Sequence, residues 1–230
     1  MNTENSNVTN QSSHREGLGG PDSLGGLSII INIGRQLGSG GHDIGRMLAL
    51  DFNAKYYDKE ILKLAAQESG FSKEFFEQND ERHGFLRSVF HTRAPHITDS
   101  NFYQNNFSQE SLFKFQSDAI RKEAQKGSCV FVGRCADYVL RDFKNVVSVF
   151  ITASMRFRID SVMNKQHVSV EEARKIIENG ERRRAEYYNY YTGKKWGVAS
   201  GYDLCIDSSV LGLQATEKFI ADFVRKKFSL

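Results

Sequence analysis

The chain has 230 residues, of which 40% are hydrophobic and 26% are charged. This composition is typical of a globular domain, and the length suffices for one core with a small mobile subdomain. The net charge of +3 is too small to indicate nucleic-acid binding. No apolar run reaches the roughly 18 residues of a membrane span, and no apolar signal region stands near the start. Three widely spaced cysteines indicate reduced thiols, so we expect a cytoplasmic protein.

The first part of the chain predicts a tail followed by a folded domain. Residues 1–26 are rich in Asn, Ser and Gly, which predicts disorder, and residues 27–230 are interpreted as one domain. The β-branched apolar run at 27–33 predicts a buried strand, and residues 43–52 have the apolar spacing of a helix. A strand, a glycine-rich turn and a helix in this order are typical of the opening of an α/β nucleotide-binding unit.

The turn between them predicts a phosphate-binding loop made of Gly38, Ser39, Gly40 and Gly41. Glycines allow positive φ angles and let backbone amides approach an anion without an intervening side chain. A helix that starts near His42 or Asp43 adds its positive end, so we assign both residues to the phosphate site as well. The alternative is a tight turn without a ligand, which the strand–loop–helix context makes the weaker interpretation.

The loop departs from the usual phosphate-loop pattern G-x-x-x-x-G-K-[ST]. With Gly40 at the last glycine, Gly41 takes the place of the lysine and His42 that of the hydroxyl residue. Those two groups normally meet the β- and γ-phosphates and hold Mg²⁺. Either another cation replaces the lysine, with Arg35 the nearest candidate and His42 the second, or the site transfers no phosphoryl group.

The rest of the chain alternates predicted strands and helices. Apolar runs predict strands at 129–132, 146–151 and 204–207, and helical spacing occurs at 111–126, 155–164 and 213–228. This alternation predicts a parallel sheet with flanking helices. Residues 71–115 are crowded with Phe and Tyr but lack a strand period. They predict helices packed as a lid or substrate subdomain, with an aromatic helical core as the alternative.

An ordered set of short motifs extends from residue 29 to the C-terminus. They are Gly34-Arg35-Gln36, Gly38-Ser39-Gly40-Gly41, Ile44-Gly45, Tyr56-Tyr57-Asp58-Lys59-Glu60, Val132-Gly133-Arg134-Cys135-Ala136-Asp137, Tyr187-Tyr188, Tyr191-Thr192-Gly193-Lys194-Lys195-Trp196-Gly197 and Tyr202-Asp203-Leu204-Cys205-Ile206-Asp207-Ser208-Ser209. In this order and spacing the chain resembles the cytidylate kinase-like proteins, which are relatives of bacterial cytidylate kinase among the P-loop nucleoside monophosphate kinases.

The resemblance implies a three-layer α/β P-loop kinase fold with a parallel sheet of about five strands. It also implies a helical acceptor subdomain at about 58–115 and a lid at about 158–198. ATP is the implied phosphoryl donor, Mg²⁺ the cofactor, and a pyrimidine monophosphate such as CMP or dCMP the acceptor. Cys135 stands where cytidylate kinase has Asp, so any role of that carboxylate is lost here.

The predicted catalytic residues are the arginines Arg35, Arg134, Arg158 and Arg184. Arginine holds phosphate oxygens in bidentate geometry and stays charged at any relevant pH. The resemblance implies that Arg134 grips the acceptor's phosphate and that Arg158 and Arg184 are lid arginines. A surface position is the alternative for Arg134 and Arg184, and it is the preferred interpretation for Arg182 and Arg183.

Asp58 and Glu60 are candidate ligands of the acceptor, through the cytosine amino group or the ribose. A helix N-cap at Asp58 is an equal alternative. The histidines lack ligand spacing, so we expect no metal site built by the protein. The expected partners are small-molecule nucleotides, and a homodimer is an open alternative to a monomer.

These observations predict an enzyme that phosphorylates a CMP-like monophosphate with ATP. Two other functions remain open at this point. The protein could be a non-catalytic nucleotide-binding or sensor protein that lost the loop lysine, or a kinase of another small acceptor.

Overall fold

The computed structural model describes residues 28–69 and 100–230, and its centre is a five-stranded sheet in the order β2-β3-β1-β4-β5. The strands are β1 Ile30–Arg35, β2 Lys55–Tyr57, β3 Cys129–Val132, β4 Val146–Thr152 and β5 Leu204–Asp207. All of the strand pairs are parallel. The predicted α/β class with a parallel sheet of about five strands is therefore confirmed.

Helices connect the strands and cover the sheet. They are α1 Gly41–Asp51, α2 Glu60–Ser69, α3 Ser100–Gln125, α4 Ala136–Val139, α5 Met155–Gln166, α6 Val170–Thr192, α7 Ser208–Leu211 and α8 Leu213–Phe228, with a 3₁₀ turn at Ala199–Gly201. No helix in the described ranges is both long and apolar enough to cross a membrane.

β1 lies in the middle of the sheet because it pairs with β3 on one side and with β4 on the other. β2 extends the sheet beyond β3. The carboxyl ends of β1, β2 and β3 therefore meet at one edge, where ligands of open α/β sheets collect. Arg35 ends β1, and Asp58 and Gly133 follow β2 and β3 directly.

The two faces of the sheet have different chemistry, because successive side chains of a strand point to opposite faces. On one face Ile31 and Ile33 pack against Leu48 of α1 and Ile220 of α8, in an aliphatic core. On the other face Ile30 belongs to a core with α2, α3 and α4. Asn32 and Gly34 share the face of Ile30 by alternation, and both line a cavity.

α6 carries several residues of this second face, and its ends have clear signals. The Ser169 hydroxyl accepts a hydrogen bond from the Glu172 backbone N–H at 3.2 Å, which caps the first turn. Gly193 ends the helix in the left-handed conformation, with φ 66°. These caps fix the length of α6 between α5 and the carboxyl edge of the sheet.

Most predicted elements are present, with some differences at the ends. The strands at 129–132 and 204–207 were predicted with the observed limits, whereas β1 starts and ends later than the predicted 27–33. β2 was not predicted. Of the aromatic segment 71–115, residues 100–115 belong to α3. The predicted tail at 1–26 and the stretch 70–99 lie outside the described residues.

Candidate active site

The loop between β1 and α1 is shaped by glycines that no larger residue could replace. Gly38 and Gly40 have φ angles of 85° and 77°, in the left-handed region. A Cβ atom on Gly38 would lie 2.7 Å from the backbone oxygen of Arg158, and one on Gly40 would overlap the Leu213 side chain. The loop is therefore held between the start of α5 and the start of α8.

The start of α1 leaves its first-turn amides without a side-chain cap. Its N-cap is Gly40, which makes no side-chain capping bond. The Ser39 hydroxyl is fully buried and donates to the Gln36 carbonyl at 2.9 Å, and the Ser39 carbonyl accepts from the Ser208 hydroxyl at 2.7 Å. Ser39 therefore stabilises the loop with its side chain, and the helix start remains suited to an anionic ligand.

The side chain of Arg35 runs between two glycines at the edge of the sheet. It is 8% exposed. A Cβ on Gly41 would lie 2.6 Å from Arg35 Cβ, and one on Gly133 would overlap the guanidinium. The guanidinium lies 3.9 Å from the Asp58 carboxylate. Arg35 thus brings a cation beside the glycine loop, at the place where three strands end.

Asp58 joins the loop to the end of β2. Its carboxylate lies 3.2 Å from His42 Nδ1, and its backbone N–H donates to Glu60 Oε2 at 3.1 Å. Burial alone would raise the pKa of Asp58, but the hydrogen bond and charge of His42, with Arg35 and Arg134, outweigh it and lower the pKa to about 2. Asp58 is therefore an ionised carboxylate held by cations, with its carboxylate turned to His42 and Arg35.

The turn after β3 has three successive residues in the left-handed region. Gly133, Arg134 and Cys135 have φ angles of 77°, 64° and 53°. Such angles are unfavourable for residues other than glycine and are found mostly where the surroundings fix them. Here Gln116 of α3 donates to the Arg134 carbonyl at 3.4 Å. The turn places Arg134, which is 7% exposed, beside Arg35.

A cavity of about 30 Å³ lies at this edge and continues down the second face of the sheet. Three arginines line it, namely Arg35, Arg134 and Arg184. The Arg184 guanidinium donates to the Arg35 carbonyl at 3.2 Å, so α6 is tied to the end of β1. Three arginines in the lining of one small cavity favour an anionic ligand.

The cavity also has a polar part with aromatic walls. Its lining includes Asn32, Asp137, Tyr188, Trp196 and Tyr202. The Tyr188 hydroxyl donates to Asp137 Oδ2 at 2.6 Å. Burial raises the pKa of Asp137 despite this hydrogen bond. The cavity therefore combines a charged rim with a polar interior.

Of the predicted site residues, Arg35, Arg134 and Arg184 line the cavity and the others do not. Three of these others, Arg158, Asp43 and Glu60, make contacts elsewhere. Arg158 forms a buried ion pair with Glu181 of α6, and its backbone packs on the glycine loop. Asp43 accepts from Lys165 of α5 at 2.8 Å. Glu60 is exposed and accepts from the Asp58 backbone. The predicted roles of these residues stay predictions, whereas Arg35, Arg134 and Arg184 are brought together.

Sequence reasoning overlooked several residues of the site. Asn32 and Gln116 were not selected, and Asp137 and Tyr202 appeared only as parts of motifs. Asn32 carried the one available signal, since a polar residue inside a β-branched run is unusual. The other three lie far from one another in sequence and meet only in the folded chain. Tyr187, Tyr191 and Trp196 pack against other aromatic rings.

The described residues do not offer a donor set for a metal ion held by the protein. No group of three or more His, Cys, Asp and Glu side chains in ranges 28–69 and 100–230 could hold one. The Asp58 carboxylate is already engaged by His42 and Arg35, and the Ser39 hydroxyl points into the loop. The arrangement does not fit a magnesium ion bound by protein groups alone.

The strand order, the loop after the central strand and the clustered arginines define an α/β kinase fold of the P-loop class. A shikimate kinase from Bacteroides thetaiotaomicron shares this fold with a TM-score of 0.50 at 9% identity, over 89% of this chain and 100% of that one. An uncharacterized protein from Eubacterium ventriosum is more similar, with a TM-score of 0.64 at 27% identity over 85% of this chain and 98% of that chain.

The chain belongs to the cytidylate kinase-like family, whose model matches residues 30–210. It is 27% identical to a cytidylate kinase from Pyrococcus horikoshii over 79% of this chain and 80% of that protein. It is 28% identical to a cytidylate kinase from Pyrococcus abyssi over 79% of this chain and 85% of that protein. The resemblance seen in the sequence motifs is thereby confirmed.

Proposed function

We propose that the protein transfers the γ-phosphoryl group of ATP to a pyrimidine nucleoside monophosphate such as CMP or dCMP. The observation that carries this proposal is the convergence of Arg35, Arg134 and Arg184 on one cavity, beside the uncapped start of α1. The similarity to proteins named cytidylate kinase supports an acceptor of the cytidylate kind.

The start of α1 supports binding of the donor phosphates. The first four N–H groups of a helix have no partner within it, and Gly40 supplies no side-chain cap. The two left-handed glycines keep side chains away from these amides. In the proposal, the phosphates of ATP lie across this helix start, where the helix dipole also favours negative charge.

Arg35 supports the proposal because it offers a positive charge in a loop without the usual lysine. Its aliphatic stem lies against Gly41, the residue in the lysine position, and its guanidinium lies against Gly133. In the proposal it stabilises the charge that develops as the phosphoryl group moves. Asp58, at 3.9 Å, keeps the guanidinium oriented.

Arg134 and Arg184 are the proposed ligands of the acceptor phosphate. They reach the cavity from the β3 turn and from α6, so they approach one anion from different elements. An oxygen of the acceptor phosphate then forms a bond with the γ-phosphorus of ATP. The bond from that phosphorus to the β–γ bridging oxygen breaks, and ADP leaves with the electron pair. The arginines position the reactants, and no covalent enzyme intermediate is needed.

Magnesium enters this proposal as part of the substrate. Mg²⁺ commonly keeps several waters and binds through substrate phosphates with only one or two carboxylates. Since the described donor groups do not fit a site of their own, the ion would arrive with ATP. We assign no step to it.

A coupled assay of ADP release tests the proposal, with CMP, dCMP and UMP as acceptors in parallel. We expect CMP or dCMP to stimulate ADP release well above the rate with ATP alone, and calorimetry to show binding of the same acceptor. Binding of ATP without any acceptor-stimulated release would instead favour a non-catalytic nucleotide sensor. That second function is favoured by the replacement of the lysine by Gly41 and by the inward Ser39 hydroxyl.

A further inference from the structure

Asn32 is a polar residue in the middle of the central strand. It is 2% exposed and stands between Ile31 and Ile33, which belong to the aliphatic core on the opposite face. Neither its amide nitrogen nor its amide oxygen has a hydrogen-bond partner within residues 28–69 and 100–230. Proteins rarely leave both ends of a buried amide unpaired, because each unmade hydrogen bond reduces stability.

The structure leaves space beside this amide. Asn32 and Gly34 line the cavity on the same face of β1. Residue 34 is a glycine, and a Cβ at this position would lie 2.7 Å from the Phe150 ring and 3.2 Å from the Tyr202 ring. The next position after Asn32 on this face of β1 therefore carries no side chain. The unpaired amide and the three arginines consequently belong to one cavity.

The size and charge of the cavity limit its occupant. Its volume of about 30 Å³ corresponds to roughly two water molecules. An oxygen of a phosphate group is about the size of a water molecule and fits such a space. The positive charge of Arg35, Arg134 and Arg184 favours an anionic occupant, and a phosphate oxygen is an acceptor for the Asn32 amide nitrogen.

We propose that Asn32 is a phosphate ligand, whose amide nitrogen donates to an oxygen of a phosphate group held by Arg35, Arg134 and Arg184. The phosphate group could belong to free orthophosphate or to the acceptor nucleotide. Its assignment to the acceptor rests on the proposed function, whereas the binding of a phosphate at this position does not. The phosphate oxygen then supplies the hydrogen-bond acceptor that the Asn32 amide nitrogen lacks among the described residues.

The test compares wild-type protein with Asn32→Leu, which has nearly the same shape but no hydrogen-bonding groups. Without phosphate, Asn32→Leu is expected to melt about 2–4 °C higher, because an unpaired buried amide has been removed. With orthophosphate the wild type gains more thermal stability than the variant. Calorimetry is expected to show orthophosphate and CMP binding weakened about tenfold or more in the variant, with cytidine as the control ligand without phosphate.

Ile31→Val is the matched control, since it changes the same strand on its aliphatic face. We expect its response to orthophosphate to equal that of the wild type. If Asn32→Leu does not fold, Asn32→Ser serves in its place, because the shorter side chain cannot reach the same oxygen. Equal orthophosphate affinity in wild type and in the Asn32 variant would overturn the proposal, as would a free variant that melts below the wild type.

Steady-state kinetics separate this inference from the kinase function. We expect Asn32→Leu to raise KM for CMP and leave KM for ATP unchanged; a rise confined to the KM for ATP would overturn the assignment to the acceptor. Phosphate binding that depends on Asn32 but is accompanied by no ADP release would support the phosphate site and reject the kinase. ADP release with unchanged CMP binding in the variant would support the kinase and reject the role of Asn32.

Discussion

The two faces of β1 have different roles in the molecule. On the aliphatic face, Ile31 and Ile33 pack against α1 and α8 in a hydrophobic core. On the cavity face, Asn32 and Gly34 take the corresponding positions, and arginines and tyrosines surround them. One strand therefore contributes to stability with alternate residues and opens a binding site with the residues between them.

The difference shows that burial of a side chain can raise or lower the stability of this fold. Ile31 is buried because apolar area removed from water stabilises the fold. Asn32 is equally inaccessible, but its side-chain amide makes no hydrogen bond with the described residues, so burial of this amide reduces stability in the unliganded protein. Substitutions on the aliphatic face should consequently change the stability of the fold, whereas substitutions on the cavity face should change function.

The largest effect is expected on the cavity side, from Arg35→Ala. Removal of a charged donor that meets the transferred group lowers kcat/KM by about 10²–10³-fold in comparable sites. Steady-state ADP release with CMP measures it. Arg182→Ala is the control, because Arg182 is exposed and hydrogen-bonds only to Asn179 among the described contacts. Turnover that survives Arg35→Ala undiminished would show that Arg35 does not replace the lysine.

On the aliphatic face, Ile31→Ala is expected to reduce the free energy of unfolding by about 2–5 kcal/mol. The side chain is 1% exposed and leaves a cavity that its neighbours fill only in part. Urea denaturation gives the value. Binding of orthophosphate by the folded variant should stay close to that of the wild type, and a large loss of binding at unchanged stability would contradict the division between the faces.

A smaller effect is expected at the ion pair between Arg158 and Glu181, which joins α5 to α6. Glu181→Gln leaves the buried guanidinium without its charged partner, so we expect a loss of about 1–3 kcal/mol in stability. If the pair serves stability alone, kcat stays near the wild-type value. A tenfold lower kcat with unchanged stability would instead place Arg158 in the reaction, as the resemblance implies.

The smallest effect concerns the pH dependence of stability at Asp58. Its folded pKa of about 2 lies below the ordinary value of 3.8, so the carboxylate stabilises the fold above pH 4 and loses this contribution as pH falls toward 2. Between pH 5 and pH 3 we expect wild type to lose about 1 kcal/mol more than Asp58→Asn. Urea denaturation at the two pH values measures the difference, and parallel losses in both proteins would contradict the assigned pKa.

Local patterns predicted the fold where they were continuous. β3 is a fully buried apolar run, and its limits were predicted as observed. β2 was missed because Lys55, Tyr56 and Tyr57 form only three residues with one exposed lysine, too short for a strand pattern. Motif order and glycine spacing predicted the class of fold and the loop.

The details of the site depend on contacts between distant parts of the chain. The pairing of Arg158 with Glu181 requires α5 to pack on α6, which no local pattern encodes. Arg134 and Cys135 adopt left-handed angles that their residue types disfavour. The surroundings of Asn32 include Tyr202, which follows it by most of the chain length. Sequence therefore indicated which residues carry charge, and packing determined which of them meet.

The narrow path of Arg35 between Gly41 and Gly133 has a consequence for the energetics of turnover. An arginine whose stem packs on Gly41 and whose guanidinium packs on Gly133 is already ordered in the empty protein. A lysine on a flexible four-carbon stem loses rotamer freedom whenever it engages a phosphate. In the proposal, Arg35 takes the place of the usual lysine, so a side chain that is already held in position replaces a flexible one. The charge that stabilises the reacting phosphoryl group is then preorganised, and little of the site has to reorganise during transfer.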